Sequence, residues 1–482
     1  MRKQFRWCAG VCLVLAIALA AQTPGVEERI SAVQSNLLEY AALAGESTTG
    51  MPLDRRMADL HVPGVSIAVI RSGRLDWARA YGVTAIGGSP VTTETLFSAE
   101  SMSKPVSALA VLKLAEEKKI DLDVDVNRYL KRWKIPENEF TAQKKVTIRE
   151  LLNHTSGIGT HNGELYDPAK RLPTLIETLN GEAPAKTAAV RVEALPGSKF
   201  QYSNNGYLVL QLLIEDVSGK SFTEFVKKIV LDPTGMTRSS YDVPLSDALS
   251  RLSATAYLGD HAIPPRKYYN PGFAAGGLWS TPTDLAKLLI ELQREYAGTS
   301  HKVLRQATVR MMMEPGPEFR PGSYQGLGIT LNGRRSNMYM EHGGSGVFQN
   351  EMVAYLRGDG LVVMTSGSNG AAIADELLRS ASKVYGWPDY KQVQRKAIPL
   401  ASAERAKYIG TFGFIKIASS AEGLTGEIPV GSAPQRIYPD APDHFFILGA
   451  PTELIFGQED NGQMMSLEFV TPMTHTSLKR GK

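Results

Sequence analysis

The stretch GVSIAVIRSGRLDWARAYG, from Gly64 to Gly82, commits the start of this chain to a sheet. Two apolar runs flank Ser72-Gly73, a residue pair suited to the tight turn of a hairpin. A second strand pair is expected far downstream, in NEMVAYLRGDGLVVMTSGS around Asp359-Gly360, followed by a helix over 371–386. Between these strand pairs, residues 120–300 read as mainly helical and loop-rich. VTIRELLNHTSGI is a helix ending before a Ser-Gly turn, and NGYLVLQLLIEDVSGKSFTEFVKKIV is two helices split by Ser218-Gly219. STPTDLAKLLIELQREY opens with good capping residues. Upstream, apolar residues at Val26, Ile30, Val33, Leu37 and Leu38 predict a helix over 26–44. Residues 388–400 are polar with a proline at each end, which suits a linker. The remaining segment, 403–482, carries short strand-like runs such as HFFILGA, ELIFGQ and MSLEFV, and reads as a small all-β domain. With 482 residues, the chain has room for one large domain and this smaller one.

The N-terminal stretch MRKQFRWCAGVCLVLAIALAAQTPG has the layout of a secretory signal peptide: Arg2, Lys3 and Arg6, an apolar run, then small residues at Ala18, Ala20 and Ala21. The expected signal spans 1–21, and the apolar run is short for a membrane span. Association with a membrane is expected only if this segment is not cleaved. Cleavage removes three basic charges and takes the formal net charge from +4 to +1. It also removes Cys8 and Cys12, the only cysteines. The mature chain then has no thiol nucleophile, no Cys-ligated zinc and no disulfide. Export without disulfides suits a bacterial periplasm; the expected location is periplasmic or extracellular. With no basic block, nothing points to nucleic acid as a partner.

Three elements carry candidate chemistry. In FSAESMSKPVSALAVLKLAEEKK, Ser101 stands three residues before Lys104 where a helix starts, with Pro105 suited to its first turn. Positions i and i+3 share a helix face, so the side chains can meet. The positive end of the helix favours a developing alkoxide and disfavours an ammonium. A lysine held neutral can take the serine proton. Ser-x-x-Lys is nonetheless expected about once or twice by chance in a chain of this length, and Ser380 with Lys383 matches it too. In PGSKFQYSNNGYLVLQLL, Tyr202 stands two residues before Asn204 in a turn ahead of an apolar helix. A tyrosinate near a cation can act as a general base and an amide can place a carbonyl. Tyr202 can equally cover the end of the core, and Tyr268 with Asn270 repeats the spacing. In MYMEHGGSGVFQNEMVAYL, His342, Gly343 and Gly344 follow a strand-like run, where glycines let a backbone approach another group closely. The competing reading is a Gly-rich bend with an incidental histidine.

Taken in chain order, Ser-x-x-Lys on a helix, Tyr-x-Asn in a loop and His-Gly-Gly on a strand resemble the serine β-lactamase and penicillin-binding protein superfamily, specifically its class C β-lactamase-like branch of β-lactamases, D-peptidases and esterases. LLNHTSGI, GFAAGGLWSTPTDLAKLL and YQGLGI resemble further segments of that branch. The resemblance covers 26–390 and separates Ser101 and Tyr202 from their chance duplicates. It implies an α/β (α+β) fold: an antiparallel sheet built from both ends of 26–390, flanked by helices, with a mostly helical region inserted. It implies Ser101 as the acylated nucleophile, Lys104 and Tyr202 sharing the proton traffic, and Asn204 orienting the substrate. Backbone N–H groups of Ser101 and Ser345 would form the oxyanion hole. The family uses no metal and no organic cofactor.

The third motif departs from the Lys-Thr-Gly of many β-lactamases. His342 replaces a permanent cation with a group mostly neutral at pH 7, and Gly343 removes a hydroxyl. Both losses weaken recognition of a substrate carboxylate. The expected function is therefore a secreted serine hydrolase acting on a small ester, peptide or β-lactam, with esterase or D-peptidase activity ranked above β-lactamase activity. A protein that acylates and stalls, acting as a penicillin-recognising sensor, is the alternative from a different class. The other histidines receive a structural reading: His154 lies in the NHTSG segment, and His161, His261 and His301 read as loop residues. No histidine pair has metal-ligand helical spacing, and the Gly-x-Ser-x-Gly nucleophile elbow is absent.

Overall fold

The computed structural model describes residues 24–46, 50–160, 166–167, 169–259, 261–265, 272–432, 434–472 and 474–481, with backbone alone for Arg335. The expected signal segment, His161 and the Tyr268–Asn270 duplicate lie outside the described residues.

The large domain is built on an eight-stranded antiparallel sheet. Its strands are β2 (Gly64–Arg71), β3 (Arg74–Gly82), β4 (Glu318–Arg320), β5 (Ser323–Gln325), β6 (Thr330–Asn332), β7 (Tyr339–Ser345), β8 (Gln349–Tyr355) and β9 (Gly360–Thr365). The order is β3-β2-β9-β8-β7-β6-β5-β4, so both ends of the domain meet where β2 pairs with β9. The β2–β3 turn has Ser72 at φ 51° and Gly73 at φ 71°, the left-handed pair that a tight hairpin of this twist requires.

Strand side chains alternate between two cores. Ala68, Ile70, Met340, Met352 and Met364 join the core shared with α2 (Ser103–Glu116), α4 (Asn204–Ser218) and α5 (Pro282–Ala297). Val65, Ile67, Val69, Tyr339, Val353 and Val363 face the other way, against α1 (Val26–Gln34) and α6 (Gly370–Tyr385). Both faces of β2 are covered, which is why its sequence is apolar nearly throughout instead of alternating. The inserted region runs between β3 and β4 and includes α3 (Ile148–Leu152).

Three expectations need correction. The helix predicted over 26–44 stops at Gln34. Leu37 instead exchanges backbone hydrogen bonds with Met51, at 2.9 and 3.1 Å, and Ala41–Leu43 forms strand β1. The apolar spacing at Leu37 and Leu38 is thus satisfied by extended chain packed on the core. The polar segment 388–400 is not a loose linker: Val393–Arg395 forms β10, parallel to β1. His261, read as a loop residue, sits in a short strand His261–Ile263 paired with Ala256–Leu258.

The C-terminal region is an up-and-down sheet of eight strands in sequence order: β11 (Gly410–Phe412), β12 (Ile415–Ser420), β13 (Gly423–Glu427), β14 (Gln435–Ala441), β15 (His444–Phe446), β16 (Glu453–Asp460), β17 (Gln463–Val470) and β18 (His475–Lys479). Its ends meet, since Gly481 N donates to Thr411 O at 2.7 Å and Gly413 N to Lys479 O at 3.2 Å. The closed barrel is filled by its own side chains, among them Phe412, Leu424, Phe445, Leu454 and Leu467. Eight strands leave an interior of about that capacity. Ala41 N donates to Leu448 O at 2.8 Å, which ties β1 to the barrel.

Candidate active site

The serine is placed by a short strand and a tight turn. Phe97-Ser98 pairs with Trp279-Ser280, and Ala99 N donates to Leu278 O at 2.7 Å. A single 3-10 turn, Glu100–Met102, then carries the chain into α2. Glu100 takes φ 51° there, a left-handed conformation that costs a side chain of this type about 1–2 kcal/mol. Ser103 Oγ donates to Glu100 O at 2.6 Å and accepts from Leu278 N at 3.0 Å, which locks the turn. Helix α2 is buried on nearly every side from Ser103 to Leu112, so Ser101 stands at the head of a central helix.

Lys104 follows in the first turn of α2 and is fully buried. Its Nζ donates to Ser101 Oγ at 3.0 Å and to the carbonyl of Ala275 at 2.9 Å. Burial pushes the ammonium pKa down to about 7, and the negative charge of Glu100 limits that fall. The ring of Tyr202 lies 4.8 Å from Nζ and that of Tyr207 5.5 Å. Tyr202 also hydrogen-bonds Ser101, yet burial raises its hydroxyl to about 12. The contact with Ala275 shows what the GFAAGG segment does: the short helix Phe273–Gly276 turns two carbonyls toward α2, with Ala274 O accepting from Ser107 Oγ at 2.9 Å.

Tyr202 is held from behind by His154. The imidazole is 1% exposed, its ring centroid is 4.4 Å from that of Tyr202, and its Nδ1 accepts from Ser203 N at 3.1 Å. With Nδ1 accepting, the proton sits on Nε2, which has no hydrogen-bond partner among the described residues. Desolvation and the nearby Lys104 push its pKa well below 6.5 and keep it neutral. The structural reading of His154 thus acquires a specific content: it backs Tyr202. One residue on, Ser203 caps α4 by accepting from Gly206 N at 3.0 Å. Asn204 opens that helix, half-buried, with its N–H donated to Thr160 Oγ1 at 3.1 Å.

Strand β7 brings the third motif alongside. A Cβ on Gly344 would lie 2.4 Å from Ala99 O, and one on Gly346 2.7 Å from the Glu100 carboxylate. Only glycine permits so close an approach of this strand to the serine turn. Asn350 on β8 fastens the two, donating from Nδ2 to Ser98 O at 3.0 Å. His342 is buried, and its Nδ1–H donates to Gly343 O at 2.7 Å. Desolvation first, then the charge of Lys104, lower its pKa to about 4. Gly343 and Ser345 lie on the exposed face of the strand.

The structure therefore gathers Ser101, Lys104 and Tyr202 by direct contact. It sets His342 within electrostatic reach of Lys104 and lays Gly344 against the chain entering the serine turn. Sequence reasoning missed Glu100 and the Ala275 carbonyl. Neither has a motif of its own; a non-glycine left-handed residue and a backbone acceptor leave no compositional mark.

The fold is thus an antiparallel sheet that carries the Ser-x-x-Lys helix on one face. Residues 53–383 match the family model described as Beta-lactamase, and the chain belongs to that family. It is 27% identical over 229 residues to "Protein flp" of Staphylococcus aureus (strain MRSA252), covering 46% of this chain and 42% of that protein. It is 26% identical over 266 residues to "Teichoic acid D-alanine hydrolase" of Staphylococcus aureus, covering 54% of this chain and 60% of that one. The chain thus spans less than two thirds of these relatives. Among solved structures, the octameric penicillin-binding protein homologue from Pyrococcus abyssi is similar with a TM-score of 0.61 at 24% identity, covering 89% of this chain and 98% of that one. The D-amino acid amidase from Ochrobactrum anthropi SV3 has a TM-score of 0.58 at 21% identity, covering 74% and 98%. These likenesses establish the fold.

Proposed function

We propose that this protein is an exported serine hydrolase that cleaves esters or amides of small or D-configured acyl groups through an acyl-enzyme on Ser101. The observation that carries the reading is the fully buried Lys104, with Nζ 3.0 Å from Ser101 Oγ and a pKa lowered to about 7. A lysine in that state accepts a proton at neutral pH. Tyr202, raised to about 12, is a proton-holding hydroxyl in the resting site, so the first proton goes to Lys104.

Ser101 Oγ attacks the substrate carbonyl carbon as its proton passes to Lys104 Nζ. The oxyanion lies against the backbone N–H groups of Ser101 and Ser345. The proton then moves by way of the Tyr202 hydroxyl to the leaving alcohol or amine, and the carbonyl–heteroatom bond breaks. Water, giving its proton to the same pair, attacks the acyl ester and releases the acid. Asn204 orients the acyl portion. His342, neutral with its pKa near 4, offers no cation to a substrate carboxylate, and Gly343 offers no hydroxyl. The site therefore favours uncharged esters and amides over β-lactams. The name of the Staphylococcus aureus relative, a D-alanine hydrolase, agrees with a D-aminoacyl substrate.

The test compares the protein with its Ser101→Ala variant on a short-chain p-nitrophenyl ester, D-alanine p-nitroanilide and a chromogenic cephalosporin. Turnover of the ester or anilide, lost in the variant, is the expected result. Rapid cephalosporin turnover would overturn the substrate assignment. A stable mass adduct on Ser101 without product release would make the protein a receptor instead of an enzyme.

A further inference from the structure

His154 follows α3 closely and takes φ 61°. Left-handed backbone is uncommon for a residue with a side chain and costs free energy; it gathers at functional sites. The ring is 1% exposed, and its Nε2–H has no hydrogen-bond partner among the described residues. A buried donor left unmade is a second cost. Native structures hold few such groups, and each calls for a reason.

Three contacts with one short stretch of chain supply that reason. Gln201 N donates to His154 O at 2.7 Å, and Ser203 N donates to His154 Nδ1 at 3.1 Å. These are the residues on either side of Tyr202. The imidazole itself lies against the Tyr202 ring, with centroids 4.4 Å apart and planes inclined by 33°. One residue thus grips the backbone before Tyr202, the backbone after it and the ring between. The surrounding loop is tied down close by: Gly197 N donates to Thr155 O at 2.7 Å, and Ser203 Oγ and Asn205 Nδ2 donate to Gly159 O at 3.1 and 2.9 Å. Those bonds place the loop, and the adjacent imidazole sets the Tyr202 ring within it.

We propose that His154 is a positioning residue for proton delivery: it aims the Tyr202 hydroxyl so that a proton passes from the Ser101 side of the site to the departing heteroatom. The inference rests on the acyl-enzyme reading given above. As the tetrahedral intermediate collapses, the carbonyl–heteroatom bond breaks and its electron pair passes to the leaving atom. That atom takes the proton of Tyr202, and Tyr202 regains one from Lys104 Nζ. His154 gains and loses no proton, since its Nδ1 is held as an acceptor and its ring is kept neutral. Its effect therefore falls on leaving groups that need a proton and spares those that depart as stable anions.

The test measures kcat/KM for the ethyl and p-nitrophenyl esters of one short acyl group, a value that reports acylation and leaves out the shared deacylation step. It uses the mature chain, His154→Asn, His154→Phe, Tyr202→Phe and the double variant His154→Asn/Tyr202→Phe. Asn keeps an acceptor near the place of Nδ1 and tolerates left-handed backbone, but has no ring. Phe keeps a ring and has no acceptor. His154→Asn should lower the value for the ethyl ester by about 10²-fold and that for the p-nitrophenyl ester by less than about threefold. His154→Phe should show the same selectivity, and if it fails to fold the Asn comparison still decides. In the Tyr202→Phe background, His154→Asn should cost nothing further on either ester, because it acts through Tyr202. The inference is overturned by equal losses on the two esters, by no loss in His154→Asn, or by an additive loss in the double variant, the mark of a structural role. Equal losses on the two esters in Tyr202→Phe itself would overturn the proton route through Tyr202, and this inference with it. Discrimination in Tyr202→Phe with none in His154→Asn would overturn this inference alone.

Discussion

Ser101 and Ser380 each stand three residues before a lysine, and each pair lies at or on a helix, but the surroundings differ at every point that matters. Lys104 is in the first turn of α2, where the helix end disfavours a cation, and it is buried with its Nζ on Ser101 Oγ. Lys383 is in the last turn of α6, where a cation is favoured, and it is exposed. Ser380 Oγ lies 2.8 Å from both Asn36 O and Glu376 O and accepts from Leu38 N at 3.1 Å. Its hydroxyl is spent on holding the extended segment after α1. The motif has no chemistry of its own; burial and helix polarity supply it.

The sharpest way to break this comparison is to truncate both serines. Ser101→Ala should lower ester turnover by about 10⁴-fold or more. Ser380→Ala should leave turnover in place and lower the unfolding free energy by about 1 kcal/mol, read from a denaturant midpoint. Loss of turnover in Ser380→Ala would mean that α6 supports the site in a way the contacts do not account for.

A smaller effect belongs to the lysine. Lys104→Met should reduce kcat/KM by about 10³-fold, and its stability should separate it from an ordinary core substitution. Lys104 titrates near 7 in the folded protein, against 10.5 for its ordinary value. Between those values the unfolded chain binds the extra proton, so stability rises with pH across that window. Below pH 7 the folded protein carries the full cost of a buried ammonium, of the order of 4–5 kcal/mol at 1.36 kcal/mol per unit. The difference in stability between Lys104→Met and the parent should therefore shift toward the variant by several kcal/mol from pH 10 to pH 6. A difference independent of pH would show that Lys104 is charged throughout. The same titration sets the rate. Neutral Lys104 is the base, so kcat/KM should fall tenfold per pH unit below about pH 7, with neither His342, near 4, nor Tyr202, near 12, defining that limb.

Much of the fold is legible in the order of residues alone. Ser72-Gly73 and its flanking apolar runs carry the β2–β3 hairpin, and the capping Thr281, whose Oγ1 accepts from Asp284 N at 3.1 Å, carries the start of α5. Local signals of this kind need no partner from elsewhere in the chain. The segment 35–44 misleads because Leu37 and Leu38 satisfy a helical period and a packed extended strand equally well; the deciding contacts, with Met51 and β10, are non-local. Barrel closure is hidden for the same reason, since Thr411 and Gly481 must meet across the whole domain. Within the site, the residue types of Ser101, Lys104 and Tyr202 recur by chance elsewhere in the chain, and only the order of the three motifs singles these copies out. The strained Glu100 turn and the Ala275 carbonyl act through backbone geometry, on which side-chain identity is silent.

The smallest effect concerns the motif in which the site departs from the Lys-Thr-Gly pattern. His342→Lys restores a cation, and a charge-assisted contact to a carboxylate should raise cephalosporin acylation by about tenfold. The gain is partial for two reasons. The new ammonium sits near enough to Lys104 for the two to repel, so it lowers the Lys104 pKa further and moves the acid limb of ester turnover to lower pH, with some loss of rate. The missing hydroxyl is a separate loss, and restoring it places a Cβ at Gly343 3.2 Å from Glu351 Oε2 on β8, so that carboxylate would have to give by a few tenths of an ångström. An unchanged cephalosporin rate, with the acid limb displaced as expected, would show that charge at this position is not what separates this site from a β-lactamase, and would shift that role to the hydroxyl absent at Gly343.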